Sequence, residues 1–250
     1  MQKYSYFILL LLLAWGTPAA MAQEVDVPED YISEFIYGIN INTNGGLIGG
    51  IMFKTTKIIK PKWYRSLGLE LVNVKNPKET RFTSPQTGNN FVYGKRNYFF
   101  SVRPQYGRDI ILFRKAPDEG VQISANLAAG PSLGLEIPYN INYQFPGGII
   151  RTEQYEPSRH PDIFQILGST TFLDGLGQTQ LIFGAHFKAG ISLDFGAFRN
   201  SITGLELGFM LEAFTQKPEI LVSPNPSDPP APNTQVFTAA YANFFFGSRK

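Results

Sequence analysis

TQLIFGAHFKAGISLDFGAFRNSITGLELGFMLEA, residues 179–213, alternates apolar residues with polar or small ones almost without a break, and does so twice. In the first run Leu181, Phe183, Ala185, Phe187, Ala189, Ile191, Leu193 and Phe195 share one parity. Gly184, His186, Lys188, Gly190, Ser192 and Asp194 share the other, with Ile182 the lone apolar intruder. After a break at 196–199, Leu205, Leu207, Phe209, Leu211 and Ala213 oppose Gly204, Glu206, Gly208, Met210 and Glu212. Successive side chains on a strand point to opposite faces, so each run is a long strand with one apolar side. Long strands whose charges are confined to one face are what the wall of a lipid-facing barrel requires.

The first residues read as a leader rather than as fold. Lys3 precedes an apolar stretch at 7–15, and Ala20-Met21-Ala22 forms a small-x-small cleavage site. The apolar core is too short to span a bilayer comfortably. Residues 1–22 are therefore expected to be a signal peptide and 23–34 a flexible acidic lead-in. Removing the leader takes one lysine and no acid, so the net charge falls from +2 to +1 and offers no basis for nucleic-acid binding. There are no cysteines, which rules out disulfides, thiol chemistry and Cys-based zinc sites. The mean hydropathy of −0.10 is compatible with a barrel, where only every second wall residue meets lipid.

Outward from the opening stretch the same alternation recurs. A first strand over 35–43 sets Phe35, Tyr37, Ile39 and Ile41 against Gly38, Asn40 and Asn42, and Asn44-Gly45-Gly46 reads as a hairpin turn suited to positive φ. A second strand runs through Leu47 to Lys54, and a basic connector with Pro61 follows. Leu67, Leu69 and Leu71 mark a third. The fourth, around Tyr98–Gln105, contains Pro104, which cannot donate to a ladder and predicts a bulge or strand end. A long fifth covers 121–137, and an eighth, 236–246, closes the count. Long polar or proline-rich connectors fall near 73–94, 138–178 and 216–233. Counted along the chain, these are alternate connectors, so they gather at one end of an up-and-down barrel. The expected fold is all-β: an antiparallel transmembrane β-barrel of about eight strands over residues 35–250.

Signal peptide, alternating strands and loop asymmetry together resemble the small outer-membrane β-barrel proteins of Gram-negative bacteria, in the broad OmpA-barrel, OmpX and PorT-like sense. Strands rich in Phe and Tyr, with Asn and Lys in the loops, resemble Bacteroidota versions. The resemblance implies an outer-membrane location. One departure is the end, Phe246-Gly247-Ser248-Arg249-Lys250, where many such barrels end on an aromatic residue.

An eight-stranded barrel encloses space that side chains just fill. The expected inward set comprises Asn40, Asn42, Lys54, Glu70, Arg103, Gln105, Gln122, Asn126, Glu136, His186, Lys188, Asp194, Glu206 and Glu212, a structural network of paired charges. His186 and Ser192 share a face but stand six residues apart, roughly 20 Å along a strand and too far for a catalytic pair. His160 has Asp162, Glu153 and Glu156 nearby without diagnostic metal spacing, so an exposed loop histidine is expected. Pro161 suits the start of a short helix whose Ile163, Phe164, Ile166 and Leu167, with Phe145, could pack on the mouth, touch lipid or meet a partner. The Gly45–Gly50 cluster lacks the Lys-Ser/Thr of a phosphate loop. Tyr37, Tyr98, Tyr106, Tyr241 and Phe237 are read as wall aromatics of the lipid interface. No metal, cofactor or catalysis is expected. The expected partners are outer-membrane lipid and, through residues 138–178, another envelope protein. The alternatives are a lipid-modifying barrel enzyme and a secreted lipocalin-like carrier with its apolar face turned inward.

Overall fold

The computed structural model describes residues 31–115, 120–196, 201–225 and 227–250, and of residues 46–48 only the backbone. The expected signal peptide, lead-in residues 23–30, the turn at 116–119 and most of the break at 196–199 lie outside the described residues.

Among the described residues thirteen strands follow in chain order: β1 (Ser33–Asn42), β2 (Gly46–Lys60), β3 (Trp63–Val74), β4 (Arg81–Thr83), β5 (Asn90–Val92), β6 (Asn97–Phe113), β7 (Gln122–Pro138), β8 (Asn140–Phe145), β9 (Ile149–Gln154), β10 (Ile166–Ser169), β11 (Gln180–Asp194), β12 (Ser201–Phe214) and β13 (Val236–Arg249). Eight of them close into one antiparallel barrel in the order β1-β13-β12-β11-β7-β6-β3-β2. Closure leaves no free edge in the wall, since every wall strand pairs with a neighbour on both sides. The register sets Leu207 between Ile191 and Ala242, and Glu206 between Ser192 and Asn243. Leu207 is 48% exposed on the outside, and Glu206 is 5% exposed within. The alternation of the opening stretch thus becomes two surfaces.

Several local expectations change. β1 begins at Ser33, and Tyr31 stacks on the buried Tyr64 (4.5 Å between ring centroids), so the end of the lead-in is packed rather than loose. The "connector" after Lys54 is strand, because Thr55, Lys57 and Ile59 continue the outward parity; the chain turns at Pro61-Lys62, with Lys62 at φ 65°. The Asn44-Gly45 turn does not use positive φ at either residue. Asn42 Oδ1 instead accepts from the N–H groups of Asn44 (3.0 Å) and Gly45 (2.6 Å), and a Cβ at Gly45 would come within 2.5 Å of the Asn73 carbonyl.

Pro104 neither bulges nor ends β6. The β3–β6 register passes straight through Leu69–Pro104, and around the proline pairing with β7 lapses between Val102–Leu133 and Tyr106–Ala129, resuming in the same register; the one-residue shift between β6 and β7 comes later, between Ile111 and Phe113. A missing N–H is tolerated because the surrounding ladder holds both strands.

The expected long loops fold. Residues 75–96 contain the β4–β5 hairpin, and residues 139–179 contain the sheet β10-β8-β9. Phe91, Tyr139, Ile141, Tyr143, Tyr155 and Ile166 form a buried apolar core among them, with Val222 of the third loop packed against it. Backbone bonds from Arg96 N to Ile220 O (2.9 Å) and Val222 N to Gly94 O (2.8 Å) tie the proline-rich loop to the first. The three connectors therefore build one cap at the end of the barrel opposite Tyr31 and Lys250, the termini of the described chain.

Candidate functional site

The inward face is layered. Val72, Val74, Phe99, Ile182, Phe214 and Phe237 make an apolar layer at the cap end, completed by Ile220 and Leu221 from the proline-rich loop. Ile36, Met52, Ile202 and Phe245 make another near the termini. Between them lies the charged network. Low-dielectric walls make each unpaired charge there costly, so the partners are the essential fact.

Arg103 Nε donates to Glu212 Oε1 (2.8 Å) and Arg103 Nη2 to Glu212 Oε2 (2.6 Å), a bidentate fork completed by Ser101 Oγ donating to Oε1 (2.7 Å). Glu70 sits 3.9 Å from Arg103 Nη1 and is bridged by Lys188. Lys54 Nζ reaches Asp109 at 2.6 Å, and both Lys54 and Lys188 stand 3.7 Å from Glu206. Glu206 also accepts from Asn126 (2.9 Å), the Tyr241 hydroxyl (3.0 Å) and Asn243 (3.2 Å). Asn243 in turn accepts from Asn40 (2.6 Å), and Asn40 from Asn42 (2.5 Å). The network draws on β1, β2, β3, β6, β7, β11, β12 and β13, which is every wall strand.

The other sequence-predicted residues lie around it. Asp194 and Glu34 share Arg249 Nη2, both at 2.7 Å, near the termini, where Gln122 also lies. Glu136 stands at the cap end and accepts from Glu219 N (2.5 Å). Gln105 lines a cavity of about 10 Å³ beside Lys54, Asp109 and Glu206, and a second, of about 30 Å³, adjoins it toward the termini. Spaces of this size hold about one or two waters.

Sequence reading missed Asp109, Glu34, Arg249, Tyr241 and Asn243. Asp109 shares the parity of Arg103 and Gln105, a signal obscured by the doubt over Pro104. Tyr241 and Phe237 were assigned to the lipid interface, yet they are 6% and 5% exposed inside the barrel. For Tyr241 the reason lies on other strands: Gly190 and Gly208 face each other across β11 and β12, and a Cβ on either would come within 2.6 or 2.7 Å of the Tyr241 hydroxyl. The missing side chains make the notch into which that ring fits.

His186 does not approach Ser192. It shares a 3.0 Å hydrogen bond, through Nδ1, with Ser132 on β7. Both are buried, at 4% and 2% exposure.

In the cap, His160 is not an exposed loop histidine: it is fully buried. Its Nδ1 accepts from Glu156 N (3.0 Å), its Nε2 meets Glu153 Oε1 (2.8 Å), and its ring lies 4.8 Å edge-on from Tyr143. No cluster of three or more metal-ligating side chains occurs among the described residues. The expected helix after Pro161 is one 3₁₀ turn, Ile163–Gln165, whose Phe164 N–H is capped by Asp162 (2.9 Å) before the chain enters β10. Ile166 belongs to the cap core, with Ile163 and Phe145 packed on it, while Phe164 is 65% exposed. Lys95 lies beneath the cap with both Glu79 oxygens at 2.9 Å, and burial holds its amine below the usual lysine range against the pull of that carboxylate.

Compared with known proteins, the chain matches no family model and no curated sequence. Among solved structures it is similar to Neisserial surface protein A, at 10% identity over 87% of this chain and 94% of that one, with a TM-score of 0.34. It is also similar to Ail, the attachment invasion locus protein of Yersinia pestis, at 10% identity over 88% of this chain and all of that one, with a TM-score of 0.39. The Ail complex with the heparin analogue sucrose octasulfate aligns with a TM-score of 0.38.

Proposed function

We propose that this chain is an integral outer-membrane barrel without catalytic activity, whose lumen is a closed structural core and whose cap is an external binding surface for another envelope protein. The observation that carries the reading is the sorting of side chains. Phe209, Phe183, Leu181 and Leu67 are 56–75% exposed on the wall, while every carboxylate of the described barrel strands points inward. Such a surface suits hydrocarbon, and an ionic interior suits its absence.

The lumen reading has a direct check. Reconstituted in a planar bilayer, the protein is expected to give no steady single-channel current, because apolar layers bound a network with room for only a few waters. Large, persistent openings would overturn it.

The cap reading rests on what its sheet leaves uncovered. The outer edge of β10 is capped by the loop before β5, where Thr87 Oγ1 (2.5 Å) and Asn89 Nδ2 (3.3 Å) both donate to Leu167 O. β9 forms the opposite edge with Ile149 and Ile150 53% and 58% exposed, a strand able to accept another. A photo-crosslinking residue at Ile150 or Phe164 is expected to capture one discrete envelope protein, and Ile149→Asp with Ile150→Asp to abolish the adduct while the barrel stays heat-modifiable. An unchanged adduct would count against β9. Charge substitution is preferable to loop deletion, since the three connectors share one core.

The enzymatic alternative is weakened by the placement of the Ser132–His186 pair inside the barrel, where a lipid ester has no approach. The carrier alternative is weakened by the polarity of the interior.

A further inference from the structure

The described barrel strands carry seven carboxylates, Glu34, Glu70, Asp109, Glu136, Asp194, Glu206 and Glu212, all on the inward parity. Their cations divide differently. Lys54, Arg103, Lys188 and Arg249 pair with those acids inside. Lys57, Arg65 and Arg108 stand on the outward parity, and the register places them in one row: Lys57 opposite Arg65, and Arg65 opposite Arg108. Adjacent strands lie about 4.8 Å apart, so the row spans roughly 10 Å across β2, β3 and β6.

Like charges directly opposite one another destabilise a sheet. No described carboxylate relieves this row; the only charge-related contact within it is Arg108 over the Tyr106 ring, at 5.2 Å. The position along the barrel is equally specific. Toward the cap the next outward residues are Thr55, Leu67 and Tyr106, with Leu69, Leu71 and Phe53 beyond, an apolar wall apart from Thr55. Toward the termini come Ile59, Trp63 and Ile110, and Lys60 lies over the Trp63 ring at 4.6 Å. Three cations flanked by Tyr and Trp, where an apolar wall gives way to the rim, match the depth of lipid phosphates.

We propose that Lys57, Arg65 and Arg108 form a binding site for the phosphate of anionic glycerophospholipids in the leaflet at the termini end of the barrel. This rests on the membrane reading above. The apolar wall next to the row holds acyl chains, and the cations hold the phosphodiester; the anion supplies the counter-charge that no described carboxylate gives the row.

The experiment uses the full chain in phosphatidylcholine vesicles, with spin-labelled phosphatidylglycerol or phosphatidylcholine as the probe. Wild type is expected to hold the phosphatidylglycerol label in its motionally restricted shell about threefold more strongly than the phosphatidylcholine label, with high salt reducing the preference. Lys57→Gln, Arg65→Gln and Arg108→Gln together are expected to bring the ratio to unity. Equal retention of both labels by wild type overturns the proposal without needing the variant, as does a preference that survives the triple substitution. Loss of the preference to inorganic phosphate at constant ionic strength would mark a free-phosphate site and also overturn it. A restricted shell without headgroup preference leaves the membrane reading standing, whereas no restricted shell at all defeats both.

Discussion

Arg103→Met is expected to destabilise the folded barrel by about 3–5 kcal/mol, the usual cost of leaving a buried charge without its partner. Arg103 and Glu212 have side chains 2% and 0% exposed, and the fork between them holds β6 to β12 across the lumen. Without the guanidinium, Glu212 keeps only neutral donors such as Ser101, and Glu70 keeps Lys188 alone. Adding Glu212→Leu to Arg103→Met is expected to recover most of the loss, because removing both charges also removes their desolvation. Urea unfolding in lipid vesicles, followed by heat-modifiable mobility, measures both variants. A single substitution costing no more than a surface change would show that water, not the fork, satisfies these groups.

Leu207→Arg is expected to cost about 2–4 kcal/mol in a bilayer, and Ile59→Arg about 0–1 kcal/mol. Both positions face outward, 48% and 50% exposed. They differ in place: Leu207 lies at the centre of β12, and Ile59 is the penultimate residue of β2. A cation near the middle of the hydrocarbon cannot reach water, whereas one near the rim can extend its head to the interface. Equal costs at the two sites, or none at either, would mean that the apolar wall does not face lipid. Because the chain has no cysteine, single labels at 206 and 207 give a second reading of the same orientation.

Much of the wall was legible because strand parity converts sequence directly into sidedness. Leu207 and Glu206 needed only their alternation, and so did Lys188, Glu70 and Glu212. What failed was governed by neighbours distant in sequence. Nothing in the local pattern around Tyr241 says that two glycines, on β11 and β12, leave it a notch. Pro104 seemed to end β6 because a single strand does not reveal that the ladders around it hold register. His160 looked exposed because loops are ordinarily solvated, whereas Tyr143 and Phe145 from β8 and Tyr155 just after β9 enclose it. The cap itself was illegible: its core is assembled from three connectors, none of which carries a long periodic signal.

The notch has an evolutionary corollary. Positions 190, 208 and 241 constitute a single unit of variation, since a methyl gained at either glycine collides with the phenolic oxygen that donates to Glu206. A methyl at 208 would also meet the Ala189 carbonyl at 2.3 Å, and one at 190 the Leu207 carbonyl at 2.8 Å, so loss of the hydroxyl alone does not make room. The three residues are expected to persist together, and such a fixed triplet would betray the interior of a barrel from aligned sequences alone.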